Sequence, residues 1–168
     1  MPIFSDNAPR IKWYASSHQT LTVHGSGAGN KVMQYNTVEF NNGPANHFNT
    51  NGATGYASKP YSIQVAQNGQ YLIEGSILAN RTTTSGYIHC YIYTYDSSGN
   101  SVQTILANHD YDAGPQHAGW RHHRHHAIMS VPASGIVQIN WYVYANVCST
   151  YISHSGASYC YLQVTHVS

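Results

Sequence analysis

Apolar and polar residues alternate with a period of two along most of this chain, and windows of a dozen residues with helical spacing are nearly absent. That pattern predicts strands with one face buried. Tyr61–Val65 alternates cleanly, Gln67-Asn68-Gly69-Gln70 makes a turn, and Tyr71–Ile77 resumes the alternation, which reads as a hairpin with a tight Asn-Gly loop. Tyr87–Tyr95 is a strand closed by Asp96-Ser97-Ser98-Gly99-Asn100, a second hairpin turn that leads into Ser101–Ala107. Beyond Gly114-Pro115, Trp120–Val131 is a strand stopped by Pro132-Ala133-Ser134-Gly135, and Ile136–Ala145 and Ser158–Val167 complete the series. Nearer the N-terminus, Ile11–Tyr14, Thr20–His24 and Val32–Phe40 read as strands, with Gly25-Ser26-Gly27-Ala28-Gly29 a flexible loop.

Seven to ten short strands at this spacing predict an all-β sandwich or jelly roll. No repeat of roughly 20 to 50 residues is visible, which argues against a propeller or solenoid. Residues 41–60, rich in Asn, Gly and Thr, form the longest predicted loop, and loops of that length often carry function. At 168 residues the chain is the size of one domain with a real core.

Composition then narrows the function. Charged residues are 8% of the chain against about 25% in an average soluble protein, and the net charge is +1. No electrostatic footprint exists for a phosphate backbone, so nucleic acid is not an expected partner. The longest apolar run, Ile136–Ala145, is interrupted by Gln138 and Asn140 and is far shorter than the roughly 20 residues of a membrane helix, so membrane insertion is not expected. Met1–Asp6 has no basic stretch leading into an apolar core, so export by the ordinary secretory route is not expected either. The polar surface must instead be built from Ser, Thr, Asn, Gln, 15 Tyr and 12 His, a surface suited to glycans or to other proteins. So little surface charge also predicts a defined oligomer. The three cysteines, Cys90, Cys148 and Cys160, read as small buried strand residues, with a Cys148–Cys160 bridge as the alternative.

The segment Val38–Leu78, with VEFNNGPANHFNT followed by YSIQVAQNGQYLIEGSIL, resembles the globular head of the complement C1q and tumour necrosis factor superfamily. Phe40, Asn46, Phe48, Val65, Gly69 and Tyr71 stand at the places of that family's Phe strand, Asn-rich loop and Gly-x-Tyr-x-apolar pattern. Gly135 ahead of VQINWYV, and the run Ser155–Leu162, are similar to its C-terminal half. The resemblance covers residues 32–168, with residues 1–31 contributing N-terminal strands and the Gly-rich loop to that head. It implies a jelly roll of about ten antiparallel strands that assembles as a homotrimer around a threefold axis. The chain has neither a Gly-X-Y stalk nor an acidic calcium cluster, which sets it apart from the animal members. Heads of this kind resemble phage tail-fibre tips, virion spikes and trimeric bacterial lectins. The implied partners are therefore a host-surface glycan or protein receptor and other virion or fibre proteins, and the implied location is the virion or otherwise extracellular.

Gly119-Trp120-Arg121-His122-His123-Arg124-His125-His126 is the one constellation with evident chemistry. On a strand His123 and His125 share one face, while His122, Arg124 and His126 share the other. Imidazoles at i and i+2 stand about 6 to 7 Å apart, close enough for both to approach one metal ion. On a trimer axis six such nitrogens would suit Fe, Ni or Co better than Zn. His123-Arg124-His125 is similar to the His-x-His motifs of some trimeric phage fibre tips. The competing readings are a neutral hydrogen-bonding face packed on Trp120 or Tyr, and a face that gains charge below pH 6.5.

Candidate ligand contacts are Asn46, His47, Phe48 and Asn49 in the long loop, with Tyr111 and Trp120 as stacking platforms. No Gly-x-Ser-x-Gly elbow and no phosphate-cradling glycine loop is present. Among six acidic residues only Asp110 and Asp112 form a close pair, which is poor material for glycosidase chemistry. The expectation is a non-catalytic binding module.

Overall fold

The computed structural model describes residues 8–22, 28–81, 85–113, 119–145, 150–153 and 156–168. Thirteen strands run through them. They are β1 (Arg10–Tyr14), β2 (Gln19–Thr22), β3 (Ala28–Val32), β4 (Thr37–Asn41), β5 (Phe48–Asn51), β6 (Ser62–Val65) and β7 (Gly69–Arg81). They continue as β8 (Ser85–Tyr95), β9 (Ser101–Ala113), β10 (Gly119–Val131), β11 (Ile136–Ala145), β12 (Thr150–Ser153) and β13 (Tyr161–His166). No helix among the described residues is long and apolar enough to cross a membrane.

The strands form two antiparallel sheets. The first runs β2-β12-β7-β13-β1-β4, with β10 added along β7, and the second runs β5-β6-β11-β8-β9, with β3 added along β11. Apolar side chains gather on one face of each sheet, so the sheets stack apolar face on apolar face. Ile73, Ile77, Met129, Leu162 and Val164 of the first sheet meet Ile63, Ile88, Ile92, Ile139 and Trp141 of the second. Burial of this kind contributes about 25 cal/mol per Å² of apolar surface and is the main force holding the sheets together. Space for the largest of these side chains comes from Gly75: a Cβ there would stand 2.6 Å from Ile139 Cδ1 and 3.3 Å from Trp141 Cζ2.

The connections correct several readings from the alternation. Asn68-Gly69 does not close a hairpin, because β6 pairs with β5 and β11 while β7 pairs with β10, β12 and β13; the turn carries the chain from one sheet to the other. Val32–Phe40 is two strands, β3 in the second sheet and β4 in the first, joined by a crossing in which Met33 and Tyr35 are buried. Gln19 holds that crossing, its Oε1 accepting from Gln34 N at 2.8 Å and its Nε2 donating to Gln34 O at 2.9 Å. The long loop contains a strand, β5, and β9 extends to Ala113. Ser158–Cys160 belong to a turn, with Tyr159 N and Cys160 N donating to Gly156 O, and the last strand starts at Tyr161.

The second hairpin forms as expected between β8 and β9. Asp96 is its organiser: Oδ1 accepts from Ser98 N and Asn100 N at 2.9 Å each, and Oδ2 from Asn100 Nδ2 at 2.8 Å. Those hydrogen bonds, Asn100 foremost, hold its carboxyl below the usual range. Cys90 and Cys160 are buried, and burial pushes the Cys90 thiol well up; Cys148 lies outside the described residues.

Candidate binding surface

β10 lies along the full length of β7, which fixes where each histidine points. His123 and His125 oppose Ile77 and Gly75 and are 7% exposed each, inside the sandwich of their own chain. The His125 ring lies 5.7 Å from the Trp141 ring, in the space that Gly75 leaves. The pair therefore shares a face as the alternation requires, but that face is the core. An ion on a threefold axis would need ligands on an outer surface, whereas the register of β10 turns His123 and His125 toward the interior of their own chain. Among the described residues no group of three or more His, Cys, Asp or Glu is placed to hold a metal ion.

The outward face carries His122, Arg124 and His126. His122 Nε2 lies 2.6 Å from Ser76 Oγ, and Ser76 Oγ donates to Tyr159 O at 3.1 Å. A hydroxyl has one proton. Ser76 spends it on the carbonyl and must accept from His122 Nε2–H, so the imidazole acts as donor and the pair is a brace between β7, β10 and the 156–160 turn. Burial first, then the charge of Arg124, holds His122 below its ordinary value of 6.5. Arg124 Nε donates to Tyr161 Oη at 2.6 Å, and Lys12 Nζ stands 4.5 Å from the centre of the same ring while pairing with Glu39 at 2.8 Å. Burial raises the Tyr161 hydroxyl, and the Arg124 hydrogen bond opposes that rise.

The loop residues are placed by a left-handed turn. Asn46 has φ 65°, a conformation that Asn tolerates better than most side chains, and Asn49 Nδ2 donates to Asn46 O at 3.2 Å. Asn46 is exposed and Asn49 half-buried, whereas His47 and Phe48 are each 3% exposed and turn inward. His47 packs edge-on to Phe48 with ring centres 4.5 Å apart and lies 5.3 Å from His166 of β13, which stacks on Tyr71 of β7 at 4.7 Å. Nε2 of His47 and Nε2 of His166 are both buried without a hydrogen-bond partner. Burial, then the neighbouring His166, holds His47 below 6.5. Sequence reasoning missed His166 and Tyr71 as members of this cluster; the signal was only that each ends a strand with an aromatic or imidazole on the apolar phase.

Trp120 is 47% exposed, and Tyr111 lies in β9 with its side chain outside the described residues. The structure does not bring these two together with the loop. Trp120 is opposite Asn80 of β7, while the loop packs on Tyr71, and nine residues of strand span about 30 Å. Tyr111, opposite Tyr87 near the start of β8, belongs to the Trp120 end. At the loop end a groove of about 550 Å³ is lined by Asn68, Gly69, Gln70, Val102, Ser130, Val131, Pro132 and Ser168, without a charged side chain. On the outer face of β8, Tyr91, Tyr93 and Tyr95 form a ladder with ring centres about 6 Å apart, another feature the period-two tyrosines signalled.

No protein-family model and no curated protein matches this sequence. Solved structures do. Murine APRIL at pH 8.0 superposes with a TM-score of 0.59 at 8% identity, covering 94% of this chain and 98% of that one. Eiger TNF from S. frugiperda gives 0.55 at 9% identity, covering 96% and 94%. The fold is a tumour necrosis factor-like jelly roll. The same jelly roll is similar to part of infectious bursal disease virus, Gt strain, with a TM-score of 0.56 at 10% identity over 97% of this chain and 34% of the viral one.

Proposed function

We propose that this jelly roll is a non-catalytic, homotrimeric binding head carried on a virion, attaching to a host-surface glycan or protein through the loop end of the sandwich. The observation that carries the reading is the pair of edge strands β9 and β10. Each is 13 residues long, and among the described residues β9 is ladder-paired only with β8 and β10 only with β7, while Ser130 N of β10 donates to Gln103 Oε1 of β9 at 3.1 Å across the gap between them. Both edges run along one side of the sandwich, where Val102, Leu106, Trp120 and Ile128 are 44 to 53% exposed. Long edges with no further ladder partner, flanked by exposed apolar side chains, invite pairing unless something covers them, and copies of the same chain are the simplest cover. Three heads engaging one surface then gain avidity, so a shallow contact made by Asn46, Asn49 and the uncharged groove suffices. The likeness to a chain of infectious bursal disease virus supports a virion component, and a purely structural role in the particle is the second reading.

Native mass spectrometry of the untagged protein tests the assembly. Three copies of the 18.5 kDa chain give about 55 kDa, and Leu106→Lys with Ile128→Glu is expected to leave monomer. A wild-type monomer overturns the trimer. Asn46→Ala with Asn49→Ala then separates the two readings: lost cell binding supports attachment, and unchanged binding supports the structural role.

A further inference from the structure

We propose that His47 and His166 form a proton-sensitive clasp that holds the 42–47 crossing loop against the end of β13, so that acidification frees the loop. The loop carries the chain from β4 in the first sheet to β5 in the second, and His47 is the side chain it inserts between them. Its ring meets His166 from β13 at 5.3 Å, Phe48 from β5 at 4.5 Å and Tyr71 from β7 at 6.4 Å. A neutral imidazole can leave Nε2 as a bare acceptor in such a wall, but an imidazolium must donate from both ring nitrogens. Nε2 of His47 has no acceptor, and its nearest titratable neighbour is a second imidazole whose own Nε2 is equally orphaned.

The described side chains around the pair carry no negative charge. From β7 the Tyr71 hydroxyl donates to Gln67 O at 2.8 Å and is committed. Just before β1, Pro9 O accepts from the His166 backbone N–H, and at the start of β1 Arg10 turns its guanidinium over Phe40 at 5.1 Å. From the 66–69 turn, Gly69 closes on the back of His166: a Cβ there would stand 2.4 Å from His166 Nε2 and 2.5 Å from Ser168 O, an oxygen that already accepts from Gln70 N. Among the described residues no carboxylate pairs with either imidazole. A proton taken up by His47 is therefore a buried charge facing an imidazole, and it is relieved by withdrawing the loop.

Release also reaches the ligand surface, since Gly69 and Ser168 line the groove on their other side and Asn46 stands on the loop itself. That consequence rests on the proposed contact role of this end, while the clasp does not. Hydrogen exchange of the full protein, without ligand, tests the clasp. Corrected for the intrinsic pH effect, amides of residues 42–49 are expected to exchange about tenfold faster near pH 5 than near pH 7.5, and His47→Phe with His166→Phe to abolish the difference. Equal acceleration in both proteins overturns the clasp. Should the double variant fail to fold, NMR titration of wild-type His47 decides: a midpoint at or above about 6.5 overturns it, and a lower midpoint that moves the Asn46 resonances together with it supports it. Because no ligand is present in either measurement, the clasp can fail while the contact role stands, and the reverse.

Discussion

A methyl group at position 75 is enough to test the packing of the two sheets. Its Cβ would stand 2.6 Å from Ile139 Cδ1, and larger side chains would also displace Trp141. Gly75→Ala is expected to cost about 1–3 kcal/mol in urea denaturation, the usual penalty of overpacking a filled interior. His125, beside Trp141 in the same space, is expected to behave as a core residue. His125→Ala should destabilise by about 1–3 kcal/mol to the same extent with and without chelator, and a loss that appears only on chelation would return the residue to metal chemistry. Which histidines share a face was legible from alternation alone. Which face is the core was not, because His122, Arg124 and His126 on one phase and His123 and His125 on the other are polar alike. Only the pairing of β10 with β7 distinguishes them.

At the level of elements, the Asn68-Gly69 turn shows why a local signal misled. The dipeptide suits a tight hairpin, but the hydrophobic phase on either side is the same whether the chain folds back or steps across to the facing sheet. Gly69 is needed for a different reason, the close approach of His166 Nε2 and Ser168 O. Gly69→Ala is expected to cost about 1–3 kcal/mol, which at this chain length lowers the melting temperature by roughly 2–4 °C per kcal/mol in a calorimetric scan. The same ambiguity merged β3 and β4, whose crossing keeps the alternation through buried Met33 and Tyr35. By contrast the β8–β9 hairpin was readable, since Asp96 supplies its hydrogen bonds within the turn itself.

For the whole molecule, two histidines set the direction of pH dependence. His47 and His122 are both held below their ordinary value, so between that value and the lowered one the unfolded chain binds more protons than the folded one. Stability is then complete above about pH 6.5 and declines as the pH falls through the lowered range, and the melting temperature near pH 5 is expected to lie below that near pH 7.5. A flat profile would show that neither imidazole is held neutral. The architecture as a whole was legible through period-two alternation and the spacing of turns. The proposed contact surface was not, because Asn46 and Trp120 lie some 30 Å apart at opposite ends and only the fold separates them.

The middle of the first sheet is filled by the last strand: β13 stands between β7 and β1, pairing Tyr161–His166 with Tyr71–Ser76 on one side and with the N-terminal strand on the other. During synthesis the piece that joins β1 to β7 therefore emerges after every other strand of this fold. Until Val164 and Leu162 have emerged, β1 has no neighbour on that side and the core lacks two of its buried side chains. Folding of this head, and any assembly of its copies, must wait until β13 has been made, when a single segment closes sheet and core together.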